Sequence, residues 1–520
     1  MRVSRLGQGM VHVLARRGFS SSRPLRLLRT ELVAPNEVRW VQPLGLFIGN
    51  EFCEGDGGRI TTANPYTEEE ICSVSAAGPS DVDRAVDAAR HALGDPAWKL
   101  LSGTERGHLM TRLADLVDQH ADTLAALETL DNGKPLAASR SYDVPHFSEV
   151  LRYYAGWADK NPGAVLDVGP AKFAYTVKRP VGVCAQIIPW NYPLDMAAWK
   201  LGPALACGNA VVLKLAELTP LSMLYVARLV RDAGFPPGVV NVVNGAGPSV
   251  GAALAGHAGI DKVAFTGSTA TGKQVMRAAA GTMKAVTLET GGKSPLLVFD
   301  DADVAQAARW AWEGVMANQG QMCSATARLL VHDAVYERFL AAFLAHTARA
   351  SVLGDPFCAR TSQGPQISRQ HADRVLSYVS QARAAGAGVA YPAGEEVPAR
   401  GFFVPPTVLT DVEPGSAVLR DEIFGPCAAV VRFGGEDEAV RLANATRYGL
   451  AGAVFTRDLG RAHRVAGALE AGMVWVNSSN DSDVRVPFGG VKESGLGREL
   501  GEEGLRGYYT VKAVHVNHGE

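Results

Sequence analysis

The feature that most restricts the possible folds is a regular exchange of short apolar runs for amphipathic ones in the middle of the chain. "NAVVLKLA" gives way to "LSMLYVARLVRDAGFPPG", then to "VVNVVNG" and "VAFTG". The short β-branched runs, bounded by turn formers, read as buried strands, while Leu221, Leu224, Tyr225 and Leu229 fall on one face of a helix. Strands that alternate with helices at this spacing imply a parallel sheet wound by right-handed crossovers. Ligands of such sheets sit beyond the carboxyl ends of the strands. Lys214, Asn244 to Gly247, and Gly267 with Ser268 all fall at those ends, so three loops converge on one nucleotide-sized crevice.

A second alternating region follows, "PLLVFDDAD", "RLLVHDAVYERFLAAFLAH", "AAVVRF" and "GMVWVNSS", and reads as a second α/β domain with its boundary near Gly291 and Gly292. At 520 residues the chain exceeds what one core organises. Upstream the texture is helical. Ser80 and Asp83 read as a capping box ahead of "RAVDAARHAL", and "RLADLVDQHADTLAALETL" stops at Asn132, Gly133 and Pro135.

A formal charge of -2 argues against nucleic acid as a partner, and no apolar run approaches membrane-spanning length. Seven cysteines, an odd number without Cys-x-x-Cys spacing, suit a reducing compartment and no metal site. The first thirty residues differ from the rest. Arg2, Arg5, Arg16, Arg17, Arg23, Arg26 and Arg29 precede the first acid, Glu31, among several serines. That is the composition of a mitochondrial transit peptide, so residues 1–30 are set apart from the fold and a matrix location is expected.

The stretch "VAFTGSTATGKQVM" imitates a triphosphate loop through Gly267, Gly272 and Lys273. Gln274 stands where a Ser or Thr would hold magnesium, so the phosphotransferase reading lacks a part. A strand, a Gly-rich turn and a helix N-terminus still suit some phosphate-bearing ligand.

Three residues stand out for chemistry. Cys323 in "NQGQMCSATARLL" lies in a polar, Gly-rich setting unlike that of the other six cysteines, although most cysteines are small apolar fillers. Glu289 in "VTLETGGKSP" is an acid inside an apolar strand. Desolvation would raise its pKa toward that of a general base, the alternative being a buried ion pair. Asn191, between Trp190 and Pro193, can aim an amide at an oxyanion or simply serve a turn.

"PWNYP", "FTGSTATG", "LETGGKSP", "GQMCSA", "EIFGP" and "PFGGVKESGLGRE" occur here in the order and spacing of NAD(P)-dependent aldehyde dehydrogenases, which the chain resembles from about residue 45 to its C-terminus. It is similar above all to the betaine-aldehyde and aminoaldehyde branch, through "WKLGPALACGNAVVLK", "CSATARLLVH" and "AGMVWVN". The resemblance implies an α/β fold: a Rossmann-type NAD domain (45–161 and 181–290), a catalytic domain (291–502) and an oligomerisation arm (162–180 with 503–519) that makes a homodimer or homotetramer. It implies that Cys323 attacks an aldehyde, that Asn191 and the Cys323 N–H hold the oxyanion, and that Glu289 activates water against the thioester. Lys200 and Glu499 match a pair linked to proton movement, a plain salt bridge being the other reading. Around NAD the resemblance places Pro189, Trp190, Lys214, Glu217, Gly247, Gly267, Ser268, Gly272, Glu422 and Phe424, with Lys273 at the surface. Glu217 would repel a 2'-phosphate and so favour NAD over NADP.

Tyr192, Trp199 and Phe488 match three walls of the branch's aromatic cage, and Met473 a position that controls room beside it. The fourth wall is missing, since Ala317 replaces a Trp. Asp481 and Asp483 fall near the expected tunnel mouth, where they could draw an amine or stand as solvated loop acids. The loop after Lys214 reads "KLAE" in place of the stiffer Lys-Pro-Ser-Glu. The expectation is NAD-dependent oxidation of an aminoaldehyde or betaine aldehyde to its acid, with broad aliphatic aldehyde oxidation as the alternative. A catalytically silent relative would be expected to have lost Cys323 or Glu289, and both are present.

Overall fold

The computed structural model describes residues 28–392 and 397–519. Most of the Arg-rich segment therefore lies outside the described residues, but its last part does not: Arg29 and Thr30 open the first strand, Arg29–Val33. This strand pairs with Arg39–Pro43, and Leu32 and Trp40 of the hairpin are buried in the same core as the helices that follow. Apolar burial thus draws the chain into the fold before residue 45.

The first sheet has eight strands in the order Gly495–Leu496, Ala285–Glu289, Lys262–Thr266, Val183–Ile187, Ala210–Lys214, Val240–Val243, Leu46–Ile48, Glu51–Cys53. The inner run from Ala285–Glu289 to Val240–Val243 is parallel. Its order reverses between Val183–Ile187 and Lys262–Thr266, and the gap left outside two strands whose crossovers run to opposite sides is where such sheets bind nucleotides. The strands are continuous apolar runs because helices cover both faces. The helix Pro193–Ala206 is buried along its whole length and packs against Val144–Trp157.

Between Glu289 and Pro295 the chain leaves this sheet for a second one. That sheet has seven strands, ordered Gly388–Tyr391, Thr407–Thr410, Cys427–Phe433, Arg328–His332, Pro295–Val298, Ala451–Phe455, Met473–Val476. All are parallel except the edge strand Gly388–Tyr391. Outside both sheets, Tyr509–Asn517 pairs antiparallel with Lys172–Pro180 along its full length, and Val165–Leu166 adds a third strand.

Two local expectations need correction. The helix over residues 79–94 begins earlier than the Ser80 and Asp83 pattern implies: its cap is Gly78, whose N–H donates to Asp81, while Ser80 bonds Asp56. Asp81 competes for the same role and is the buried one. The next helical stretch is two helices, Gly103–Gln119 and Ala121–Asn132, broken at His120. Gly133, at φ 83°, ends the second in the left-handed conformation that glycine takes without penalty.

Candidate active site

A cavity of 690 Å³ opens at the carboxyl ends of the first sheet and runs between the two sheets. Cys323, Glu289 and Asn191 all line it. So do Pro189, Trp190, Gly267, Ser268, Glu422 and Phe424 on one side, and Tyr192, Trp199, Ala317 and Phe488 on the other. Residues nearly three hundred positions apart are brought together by strand ends, by the helix Pro193–Ala206 and by the turn that follows the helix Val304–Met316.

Cys323 follows a turn in which Asn318, Gln319 and Gly320 are left-handed at φ 49°, 56° and 71°. For the two non-glycine residues that conformation costs about 1 kcal/mol or more each, and such strain persists where surrounding contacts enforce it. Side-chain amides supply those contacts. Asn318 Nδ2 donates to the carbonyls of Asn191 (3.0 Å) and Gln321 (3.2 Å), and Gln366 Nε2 donates to the Gln319 carbonyl (3.1 Å). Asn191 Nδ2 in turn donates to the Gln321 carbonyl at 2.9 Å, which fixes the amide beside the turn that carries the thiol. The two glycines of "LETGGK" give the room. A Cβ on Gly291 would lie 2.2 Å from a Glu422 carboxylate oxygen, and one on Gly292 would lie 2.4 Å from the Cys323 carbonyl.

Burial pushes the Cys323 thiol up to about 12, and the carboxylates of Glu422 and Glu289 add to it. The N–H groups of Ser324 and Cys323 act in the opposite direction. The thiol is thus held protonated by burial and by the acids near it. Glu289 is raised well above the usual carboxylate range, first by burial and then by the charge of Glu499. Its Oε2 has no hydrogen-bond partner. Lys200 Nζ lies 2.6 Å from Glu499 and 2.6 Å from Thr266 Oγ1, fully buried, so this pair sits beneath the base without lining the cavity.

On the nucleotide side, Glu217 accepts the Gly247 N–H at 2.5 Å and the Lys214 ammonium at 3.2 Å, fixing a partly exposed carboxylate beyond the strand ends. Ser268 caps the helix Thr269–Ala279 by accepting the Thr271 N–H. Gly272 touches no part of the cavity; a Cβ there would press on Thr290, so this glycine seats the helix on its neighbouring strand. Lys273 pairs with Glu493 at the surface. Glu422 accepts the Gly292 N–H and is pushed up to about 7 by burial. Phe424 and Trp190 meet edge to face at 5.4 Å, and His371 bonds the Phe424 carbonyl at 2.6 Å. His371 and Arg374 line this end and carry no sequence signal beyond a helix, Arg369–Ala384.

On the other side Trp199 and Phe488 pack edge to face at 4.8 Å. One face of the Tyr192 ring already carries the Lys134 ammonium, 3.8 Å from its centroid, so it is not an open cage wall. Met473 does not line the cavity; it starts the edge strand Met473–Val476 and pairs with Ala451. The strand register fixes its place, and counting from neighbouring motifs missed this. Asp481 and Asp483 stay outside too. Asp483 is tied to Arg485 and held down to about 2 by it, and Asp481 is an exposed loop acid, as the solvated reading has it. The wall contains residues that sequence reasoning passed over: Tyr142, Asp143, Asp195, Trp310 and Glu313. Trp310, Glu313 and Ala317 follow at helical spacing, the only pattern that could have found them.

The description "Aldehyde dehydrogenase family" matches residues 52–514. "Aldehyde dehydrogenase [NAD(P)+] 1" of Saccharomyces cerevisiae is 49% identical over 503 residues, 94% of this chain and 98% of the relative. Among solved structures, the NAD+ complex of an aldehyde dehydrogenase from Bacillus cereus superposes with a TM-score of 0.90 at 45% identity, covering 92% of this chain and 97% of that one. The NAD+ complex of betaine aldehyde dehydrogenase from Staphylococcus aureus gives 0.89 at 40% identity, covering 92% and 95%.

Proposed function

The chain belongs to the aldehyde dehydrogenase family, and from that premise we propose that it oxidises ω-amino aldehydes ahead of betaine aldehyde and simple aliphatic aldehydes. NAD is the cofactor, and what it supplies when bound is an acceptor for the hydride lost from the aldehyde carbon. The fit is supported by a reversed strand order, a Ser-capped helix N-terminus and a fixed acceptor at Glu217, the last two following the carboxyl ends of strands of one sheet. Glu217 offers a carboxylate to a ribose hydroxyl and repulsion to a phosphate, which supports NAD over NADP.

The rest is the work of this chain's residues. The Cys323 sulfur adds to the carbonyl carbon as its proton passes to water in the cavity. The Asn191 amide and the Cys323 N–H stand where the new oxyanion needs donors. After oxidation a thioester remains on Cys323. Glu289, an acid that burial makes more basic, takes a proton from water as the oxygen attacks the thioester carbon, and the carboxylic acid departs with the sulfur restored. The Lys200–Glu499 pair behind it is placed to accept charge from that proton.

The observation that carries this reading is one cavity lined by Cys323, Asn191 and Glu289. Replacing Cys323 by Ala should lower aldehyde-dependent NADH formation by at least about 10⁴-fold while NAD still binds. Turnover that survives would remove the mechanism. For substrate class, rates on 4-aminobutanal, betaine aldehyde and hexanal are expected to fall in that order; hexanal ahead by about tenfold, a difference of about 1.4 kcal/mol, would favour the broad aliphatic reading. The exposed Val165, Leu166, Phe173 and Val511 on the outer three-stranded sheet support a homodimer or homotetramer, which sedimentation would test. The Arg-rich segment supports import into mitochondria, and N-terminal sequencing of organellar protein would test that.

A further inference from the structure

Asp195 is the third residue of the helix Pro193–Ala206. An acid there ordinarily caps a backbone N–H or offsets the helix dipole from water. This one does neither. The helix has no side-chain cap, and Asp195 Oδ1 is buried without a hydrogen-bond partner. The residue is 2% exposed, yet it lines the same cavity as Cys323. Glu128 and Asp131 also keep buried oxygens without partners, but neither lines the cavity; what sets Asp195 apart is that its unpartnered carboxyl group does.

The surrounding groups leave Asp195 Oδ1 without a donor. The nearest cation, Lys134, is already engaged: its Nζ lies 2.7 Å from Asp143 and rests on the Tyr192 ring. His146 accepts the Trp199 indole N–H, and burial holds it down to about 4, so it is neutral near pH 7. Glu128 and Asp143 add further acid around the same wall. Asp195 forms no ion pair with any described residue. Burial, with the Asp143 charge, raises its carboxyl well above the usual range, and the Lys134 charge only partly opposes this.

We propose that Asp195 is the specificity-determining anchor for the ammonium group of the substrate, binding it while the carbonyl of the same molecule reaches Cys323. The inference rests on the aldehyde dehydrogenase reading and gives its amine preference a residue. As the ammonium seats, the carboxyl releases its proton to solvent and becomes the counter-ion. A neutral aldehyde leaves it protonated and gains nothing from it. Discrimination should therefore appear in KM more than in kcat.

The test compares 4-aminobutanal with butanal in the wild-type enzyme and in Asp195→Asn. The account expects kcat/KM for 4-aminobutanal to fall at least about tenfold, mainly through KM, with butanal within about twofold. Equal changes on both aldehydes, or none on either, would overturn it. A measurement on the wild type stands if the variant does not fold: butylammonium should slow alkylation of Cys323 by iodoacetamide, and 1-pentanol at the same concentration should not. Equal protection by both contradicts the anchor. A wild-type enzyme that prefers butanal, while butylammonium still protects selectively, would sink the substrate assignment and leave Asp195 as a cation site. Absence of all aldehyde oxidation would instead sink the enzymatic reading itself.

Discussion

The two ends of the cavity handle charge in opposite ways. Toward the nucleotide end several acceptors already hold donors: Glu217, outside the cavity lining, holds the Gly247 N–H and Lys214, Ser268 caps its helix, and Glu422 holds the Gly292 N–H. At the aldehyde end Asp195 and Glu289 each keep a buried oxygen with no partner, and Lys134 is shared between Asp143 and the Tyr192 ring. Backbone and strand ends build the first end, and side chains from distant segments build the second. The first end selects its ligand through one charge, that of Glu217. A site with unmet polar groups rewards only the molecule that completes them.

Four substitutions sharpen or break that contrast. The largest effect is expected at Asn191, between the two ends: Asn191→Ala should lower kcat by about 10²–10³ through loss of an oxyanion donor, with NAD affinity unchanged by titration. A comparable loss of NAD affinity would make Asn191 part of the nucleotide end instead. Next is the acid limb of the rate profile. Glu289 is raised and must be ionised to act, so turnover limited by thioester hydrolysis should decline as pH falls through its elevated pKa. Glu499→Gln removes a charge that raises Glu289, and the limb should move to lower pH. An unmoved limb would disconnect the buried pair from the base. Glu217→Gln should improve the NADP to NAD ratio of kcat/KM by about tenfold, since one repulsive charge is lost. The smallest effect is at Lys273, whose surface pair with Glu493 is worth about 1 kcal/mol or less. Lys273→Ala should leave NAD affinity within about twofold; a large loss would return the loop to triphosphate binding.

Sequence reading reached these two ends unequally. The strand and helix alternation gives the parallel sheet, and with it the convergence of the loops at Lys214, Gly247 and Ser268, because the period of apolar residues is a local property. Cys323, Glu289 and Asn191 are marked by unusual neighbours in the chain. Asp195 is not: an acid in a first helical turn looks like ordinary dipole compensation, and only its burial in three dimensions shows otherwise. Lys134 hides in the same way inside "DNGKP", a stretch that reads as a helix stop. Met473, on an edge strand, packs against the cluster that holds Trp199 and Phe488 without lining the cavity itself.

The most direct measurement traps the acyl group itself. Glu289→Gln protein mixed with NAD and 4-aminobutanal should show, by intact mass and peptide mapping, an adduct on Cys323 equal to the aldehyde less two hydrogens, with NADH formed in a burst and little after it. Continued turnover at the wild-type rate with Cys323 unmodified would contradict the account.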